Sequence, residues 1–330
     1  MQNKKVVILG MGGTIAGRSA ERSDNVGYQA AQVGVAQLLE GVPGLAAALQ
    51  GITLESEQVA QVDSKDMHWT HWRALHASAL HHLQSADVGA LVITHGTDTL
   101  EETAFFLLQV LPADILASKP VVLTCAMRPS TANFPDGIQN LCDSAVVANA
   151  PGAQGVLVVC AGVVHSARDV QKVHPYRLDA FNSGEAGPIG WVEEGQVRWV
   201  RPIHQGGGAH SGLQLPTGDW PRVEIVLNAV GMGGAVVRAL CATPAEPDAP
   251  VLGIVVAGTG NGTINHDMES SLVYARAQGI RVVITTRCAT GQMVGVRGST
   301  EVDAGYLGLS VVKSRIALVM ELLSQSNVTT

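Results

Sequence analysis

The sequence predicts an α/β protein. A doubly wound, mostly parallel sheet forms a larger N-terminal domain, and a smaller α/β domain follows it. Three observations carry this. Short apolar runs alternate with helical patterns along the chain. Aromatic residues are only 4% of the chain while hydrophobic residues are 46%, so the core is built from Val, Leu, Ile and Ala, as in a sheet buried on both faces. The length of 330 residues exceeds what one core usually organises.

Val6–Leu9, Val88–Thr94, Val121–Thr124, Gly155–Cys160, Val223–Leu227, Leu252–Ala257 and Val282–Thr285 read as buried strands. Met67–Leu83, Leu100–Val110, Ile138–Ala148, Gly234–Leu240, Asp267–Gln278 and Val312–Leu323 carry helical periodicity. Right-handed crossovers then place ligands at the carboxyl ends of the strands. The stretch Arg201–Arg222 breaks the rhythm with Gly206-Gly207-Gly208, Pro202, Pro216 and Pro221. We therefore expect an N-terminal domain over 1–200, a linker over 201–222 and a C-terminal domain over 223–330.

Charge narrows the partners. Lys and Arg number 21 against 28 Asp and Glu, a net of −7, which argues against nucleic acid but not against a small anionic substrate in a locally positive site. The five cysteines contain no CxxC pair, which predicts free thiols in a reducing compartment. The apolar run Val6–Leu9 is too short for a signal peptide and no stretch approaches a membrane span, so a cytoplasmic protein with no membrane partner is expected.

Two strand ends carry hydroxyls after glycine. The first is Gly10-Met11-Gly12-Gly13-Thr14-Ile15-Ala16-Gly17, in which a dinucleotide fingerprint fails because its third glycine would fall on Ile15. A polar stretch without periodicity, Arg18–Gln32, follows with Tyr28 in it, as expected of either a lid or a plain surface loop. The second end is Thr94-His95-Gly96-Thr97-Asp98-Thr99-Leu100-Glu101-Glu102-Thr103. Helix capping explains Asp98, Thr99 and the glutamates. It does not explain a second Gly-preceded threonine. Paired hydroxyls with helix-start N–H groups nearby are the parts of an acyl-transfer site. A hydroxyl needs a base, and the candidates are Tyr28 and Lys172. His68 and His71 are spaced to share a metal, but no further ligand is placed with them, so a solvated helix face is expected and no metal. His95 is expected to be structural, and Cys125 and Cys288 to be packing residues.

These motifs, with Ala126-Met127-Arg128-Pro129-Ser130, Arg168-Asp169-Val170-Gln171-Lys172, Asn182-Ser183, Gly187-Pro188-Ile189-Gly190 and Val33-Gly34-Val35, resemble the bacterial L-asparaginase family in order and over nearly the whole chain. The resemblance implies hydrolysis of the side-chain amide of L-asparagine to L-aspartate and ammonia through an acyl-threonine. It implies no cofactor, and a homotetramer built as a dimer of dimers whose sites are completed by the neighbour's C-terminal domain. Carried over by position, Thr14 is the nucleophile with Tyr28 against it, and Thr97, Asp98 and Lys172 form a second array. Gly13, Ser64, Lys65, Gly96, Thr97, Asp98 and Ala126 line the substrate, with Thr263 from the neighbour.

The chain departs from the family pattern at the substrate ammonium. Lys65 stands where a glutamine is expected, Thr263 where an asparagine is, and the partner's glutamate has no match, Glu301 lying too far along. A lysine facing an ammonium repels it. Either Lys65 points away, or the substrate lacks that ammonium. The alternatives are accordingly D-asparagine, glutamine, a deaminated amide such as succinamate, or a ligand-binding relative without turnover.

Overall fold

The computed structural model describes residues 4–40, 42–203, 208–242, 249–295 and 303–328. The chain divides into two compact units, Met1–Gly212 and Leu213–Thr330.

In the first unit the strands are β1 (Lys5–Gly12), β2 (Leu54–Val62), β3 (Val88–Thr94), β4 (Val121–Thr124), β5 (Val156–Cys160), β6 (Val163–Ser166), β7 (Gln171–Lys172), β8 (Phe181–Asn182), β9 (Gly190–Glu193) and β10 (Gln196–Trp199). The helices are α1 (Val35–Leu39), α2 (Leu45–Leu49), α3 (Trp69–Gln84), α4 (Leu100–Val110), α5 (Ala113–Leu116) and α6 (Gly137–Asn149). The main sheet runs β10-β9-β6-β5-β4-β3-β1-β2. From β2 to β5 every pairing is parallel, and β6, β9 and β10 extend it antiparallel. The predicted strands there are the central ones. The two edge strands, β2 and β10, carry no buried apolar run, because an edge strand is half solvated and loses the continuous hydrophobic signature, while β6 and β9, inside the sheet, are only four residues each. The small β7–β8 ladder stands apart from the main sheet.

Val6, Ile8, Val92 and Val122 pack with Leu49, Leu141 and Val147 in one buried layer, to which α2 and α6 contribute. On α3 and α4, Trp72 stacks on Phe106 with centroids 4.5 Å apart. Helix α3 starts where the histidines fall. The His68 ring accepts from Thr70 N–H, and the His71 ring accepts from His68 N–H, so this pair closes a capping box. The first unit runs on beyond the last strand. Gly208 N–H donates to Leu108 O at 2.9 Å and His210 N–H to Gln109 O at 3.0 Å, so 208–212 is held on α4. Gly206 and Gly207 lie outside the described residues.

The second unit has a parallel sheet of β11 (Arg222–Leu227), β12 (Val251–Gly258) and β13 (Arg281–Thr286), with α7 (Ala235–Cys241), α8 (His266–Ala277) and α9 (Val311–Val328). Val226, Ile254, Val256, Met268 and Leu272 form its core. Among the described residues, no helix is long and apolar enough to cross a membrane.

Phe106 is fully buried, so Phe106→Ala removes a ring and leaves a cavity beneath Trp72. The expected loss is about 3–5 kcal/mol. Urea unfolding should show a lower midpoint with an unchanged slope.

Candidate active site

The site is assembled where β1 and β3 end. Gly12 and Gly13 have φ of 94° and 77°, which β-branched or bulky residues avoid. A Cβ on Gly13 would lie 2.2 Å from Gly96 Cα, and one on Gly96 would lie 2.4 Å from Ser64 Oγ. The turns after β1 and β3 therefore meet backbone to backbone, and the Ser64 side chain from the turn after β2 packs against the same point.

Thr14 opens a 3-10 turn, Thr14–Ala16, and is buried. Its hydroxyl lies 2.6 Å from the Tyr28 hydroxyl. Tyr28 sits on the 18–32 segment, which is a narrow flap. Arg18 and Gln29 exchange backbone hydrogen bonds of 2.9 and 2.8 Å, Ala31 N–H donates to Gly13 O, and Gln32 and Val33 N–H donate to Ala16 O. Burial raises the Tyr28 pKa, assisted by the charges of Asp63 and Asp98 and opposed by the Thr14 hydrogen bond and Lys65. The phenol therefore rests protonated at neutral pH. A protonated phenol beside a hydroxyl can pass a proton on but cannot act as a standing base.

The second array grows from the turn after β3. Lys172, on β7, donates from Nζ to Thr97 Oγ1 at 2.8 Å and to Asp98 Oδ1 at 2.6 Å. Its side chain is 17% exposed, so the amine is shielded from water while the Asp98 carboxylate keeps one side open to it. The backbone N–H of Lys172 donates to the Glu101 carboxylate, which anchors β7 to the first turn of α4. Sequence reasoning gave Glu101 only a helix-start role, because its partner is far away along the chain. The two arrays adjoin, because Gly13, next to Thr14, lies directly against Gly96, next to Thr97.

Ser64 begins a 3-10 turn after β2 and is 2% exposed. Its Oγ accepts from Asp98 N–H at 3.1 Å, and its carbonyl accepts from the Thr99 hydroxyl at 2.8 Å. The Ser64 hydroxyl proton remains for an acceptor on a ligand. Lys65 is drawn elsewhere. Its ammonium lies 2.5 Å from Asp63 Oδ2 and 3.6 Å from Asp66 Oδ2, and Asp63 raises its pKa. Of the two readings of this residue, the structure favours the one in which the charge is directed to its own carboxylates.

Ala126 is buried in the loop after β4. Asp136, one residue before α6, accepts from Met127 N–H and Arg128 N–H at 2.9 Å each. Asn140 donates to Cys125 O at 2.9 Å. Both residues position the Ala126 loop and both escape sequence reasoning. A carboxylate just before a helix reads as that helix's cap, whereas Asp136 makes no side-chain cap bond there.

His95 faces the core. Trp72 Nε1–H donates to Thr103 Oγ1, which lies 2.9 Å from His95 Nε2, and His95 Nδ1 lies 2.8 Å from Gly96 O. One tautomer satisfies the whole chain, with Nδ1–H donating to Gly96 O and Nε2 accepting from Thr103. The ring holds the Gly96 peptide in place. Cys125 is also buried, with its Sγ 3.0 Å from Cys160 Sγ, while Cys288 is exposed.

In the second unit Thr263 closes a tight turn. Thr259 and Thr263 exchange backbone hydrogen bonds of 2.9 and 2.8 Å, and their hydroxyls lie 3.0 Å apart. Glu301 lies outside the described residues.

A hydroxyl beneath a phenol, beside a hydroxyl–carboxylate–amine array at strand carboxyl ends, is equipped for amide cleavage. Comparison with known proteins agrees. Residues 5–205 match the N-terminal asparaginase family model, and residues 222–328 match the glutaminase/asparaginase C-terminal domain. The chain belongs to the asparaginase family, a family of amidohydrolases. It is 36% identical to a glutaminase-asparaginase of Pseudomonas fluorescens biotype A over 304 residues, 91% of this chain and 80% of that protein. It is 32% identical to L-asparaginase 2 of Escherichia coli (strain K12), over 96% of this chain and 88% of the other. Its fold matches a solved structure described as a probable cytoplasmic L-asparaginase from Campylobacter jejuni, with TM-score 0.86 and 31% identity over 97% of this chain and 95% of that one.

Burial lowers the His95 pKa from 6.5 to about 4. The unfolded chain therefore takes up a proton below pH 6.5 that the folded chain refuses. Stability from this group is full above 6.5 and declines by about 3 kcal/mol as pH falls to 4. Urea midpoints across that range should show a shallower decline for His95→Gln than for the unaltered protein.

Proposed function

We propose that this protein hydrolyses the side-chain amide of L-asparagine, giving L-aspartate and ammonia. The observation that carries this reading is the pair of adjoining arrays, Thr14 with Tyr28 and Thr97 with Lys172 and Asp98. The Thr14 oxygen attacks the amide carbon while its proton passes to Tyr28, whose own proton moves on toward the leaving group. Backbone N–H groups around Thr97 stabilise the oxyanion, each by about 3–4 kcal/mol in comparable sites. The C–N bond breaks and ammonia leaves with the transferred proton. Water, oriented by Thr97, then attacks the acyl-threonine carbon, its proton relayed through Lys172 to the Asp98 carboxylate; the acyl–oxygen bond breaks and the departing Thr14 oxygen regains a proton from Tyr28, which is reprotonated from solvent. Ser64 and Asp98 hold the α-carboxylate and α-ammonium of the substrate. No metal or organic cofactor enters this scheme.

The direction of Lys65 supports a substrate that keeps its α-ammonium, and so favours asparagine over succinamate. The complete set of hydroxyls and the shielded amine supports turnover over ligand binding alone. We further propose a dimer of dimers in which Thr263 of one chain reaches the site of its neighbour. We place the protein in the cytoplasm, as the Campylobacter jejuni relative is described, although a relative from Haemophilus influenzae is described as periplasmic.

Ammonia release should be measured from L-asparagine, D-asparagine, L-glutamine and succinamate. Thr14→Ala, Thr97→Val and Lys172→Met should each lose at least about 10³-fold in turnover with folding retained. Wild-type rates in any of the three reject its assigned role. Lys65→Gln should leave the order of preference among the four amides unchanged. A switch toward L-asparagine in that variant would show that the ammonium does reach the substrate.

A further inference from the structure

Behind the Thr14 turn lies a cavity of about 270 Å³ within the first unit. One wall is apolar, formed by Ile15, Val33, Leu38, Val42, Ile138 and Leu141, and most of the remaining lining is polar. Arg18 and Arg128 also line it. Among the described residues neither arginine forms an ion pair, and the Arg128 guanidinium donates only to the Phe134 carbonyl, at 3.0 Å. Glu40 is the single acidic residue in the lining, so the cavity carries an excess of positive charge. Guanidinium groups bind carboxylates in a planar, two-pronged geometry, and unpaired ones beside an apolar wall suit an anion with an apolar body.

The cavity also adjoins the neck of the flap. Ile15 follows Thr14 in the same 3-10 turn, and Arg18 begins the flap. Ser130 and Thr131, in the lining, hold that neck: the Ser130 hydroxyl donates to Gly17 O at 2.7 Å, and Thr131 Oγ1 accepts from Ser19 N–H at 2.8 Å. Anything bridging Arg18 to Arg128 ties the flap to the loop after β4.

We propose that this cavity is a binding site for a small carboxylate with a branched or aromatic apolar body, and that its occupation braces the flap neck. The site shares no residue with the asparagine-hydrolysing arrays, so it stands independently of the reaction assigned to them.

The probe is 3-phenylpropionate, titrated calorimetrically into the full chain in the presence of excess L-aspartate, with 3-phenylpropan-1-ol as the uncharged counterpart. Binding of the carboxylate is expected, at least tenfold weaker in both Arg18→Gln and Arg128→Gln, and at least tenfold weaker for the alcohol. Arg18 is exposed, so Arg18→Gln retains the fold and keeps the test available if Arg128→Gln does not. Amide hydrogen exchange at Arg18 and Gln29 should slow on binding. Failure to bind at millimolar concentration, equal binding by the alcohol, or undiminished binding in Arg18→Gln would overturn the site. Binding without any change in exchange at the flap neck would overturn the bracing.

Discussion

The architecture of the site depends on one close approach, that of Gly13 to Gly96. Two parallel strands separated by 4.8 Å or so normally send their connections apart to different helices. Here the turns after them touch, because neither position carries a Cβ. Ser64, from the turn after β2, packs against the same point. With these backbones in contact, Thr14 and the Thr97–Asp98 pair project from neighbouring turns and need no adjustment to share a substrate. The His95 network serves the same constraint from below. Its ring grips the Gly96 carbonyl, and Thr103 and Trp72 fix the ring.

Electrostatics decides what these groups can do. Tyr28 is held as a neutral phenol by burial and by two carboxylates, so the Thr14–Tyr28 pair carries no resting charge. Lys172 is the opposite case, an amine pressed between a hydroxyl and a carboxylate with little water around it. The separation of an uncharged nucleophile pair from a charged array matches the two successive tasks of an acyl transfer. Lys65, though next to Ser64, is kept out of this arrangement by Asp63 and Asp66, whose charges satisfy it locally.

Much of the site was legible before the fold. Gly-preceded threonines at the ends of apolar runs mark a hydroxyl at a strand tip, and Lys172 was a candidate from its type alone. The supporting contacts were not legible. Glu101 binds a backbone 71 residues away, and Asp136 binds a loop rather than its own helix. The spacing that suggested a metal pair in His68 and His71 instead closes a helix end. Edge strands were missed for a related reason. A strand with one solvated face, such as β10, has no apolar run to reveal it.

The sequence alone determined the layer architecture, the central strands and the candidate reactive groups, because each is written in local hydrophobic period or in residue chemistry. Only the tertiary structure decided which way charges and rings point. Whether Lys65 faces a substrate or its own carboxylates, whether His95 faces Thr97 or the core, and which carboxylate holds the Lys172 backbone in place all turn on side-chain directions that only the folded chain sets. Such directions leave no periodic trace, since they arise only once burial has brought the strand ends together.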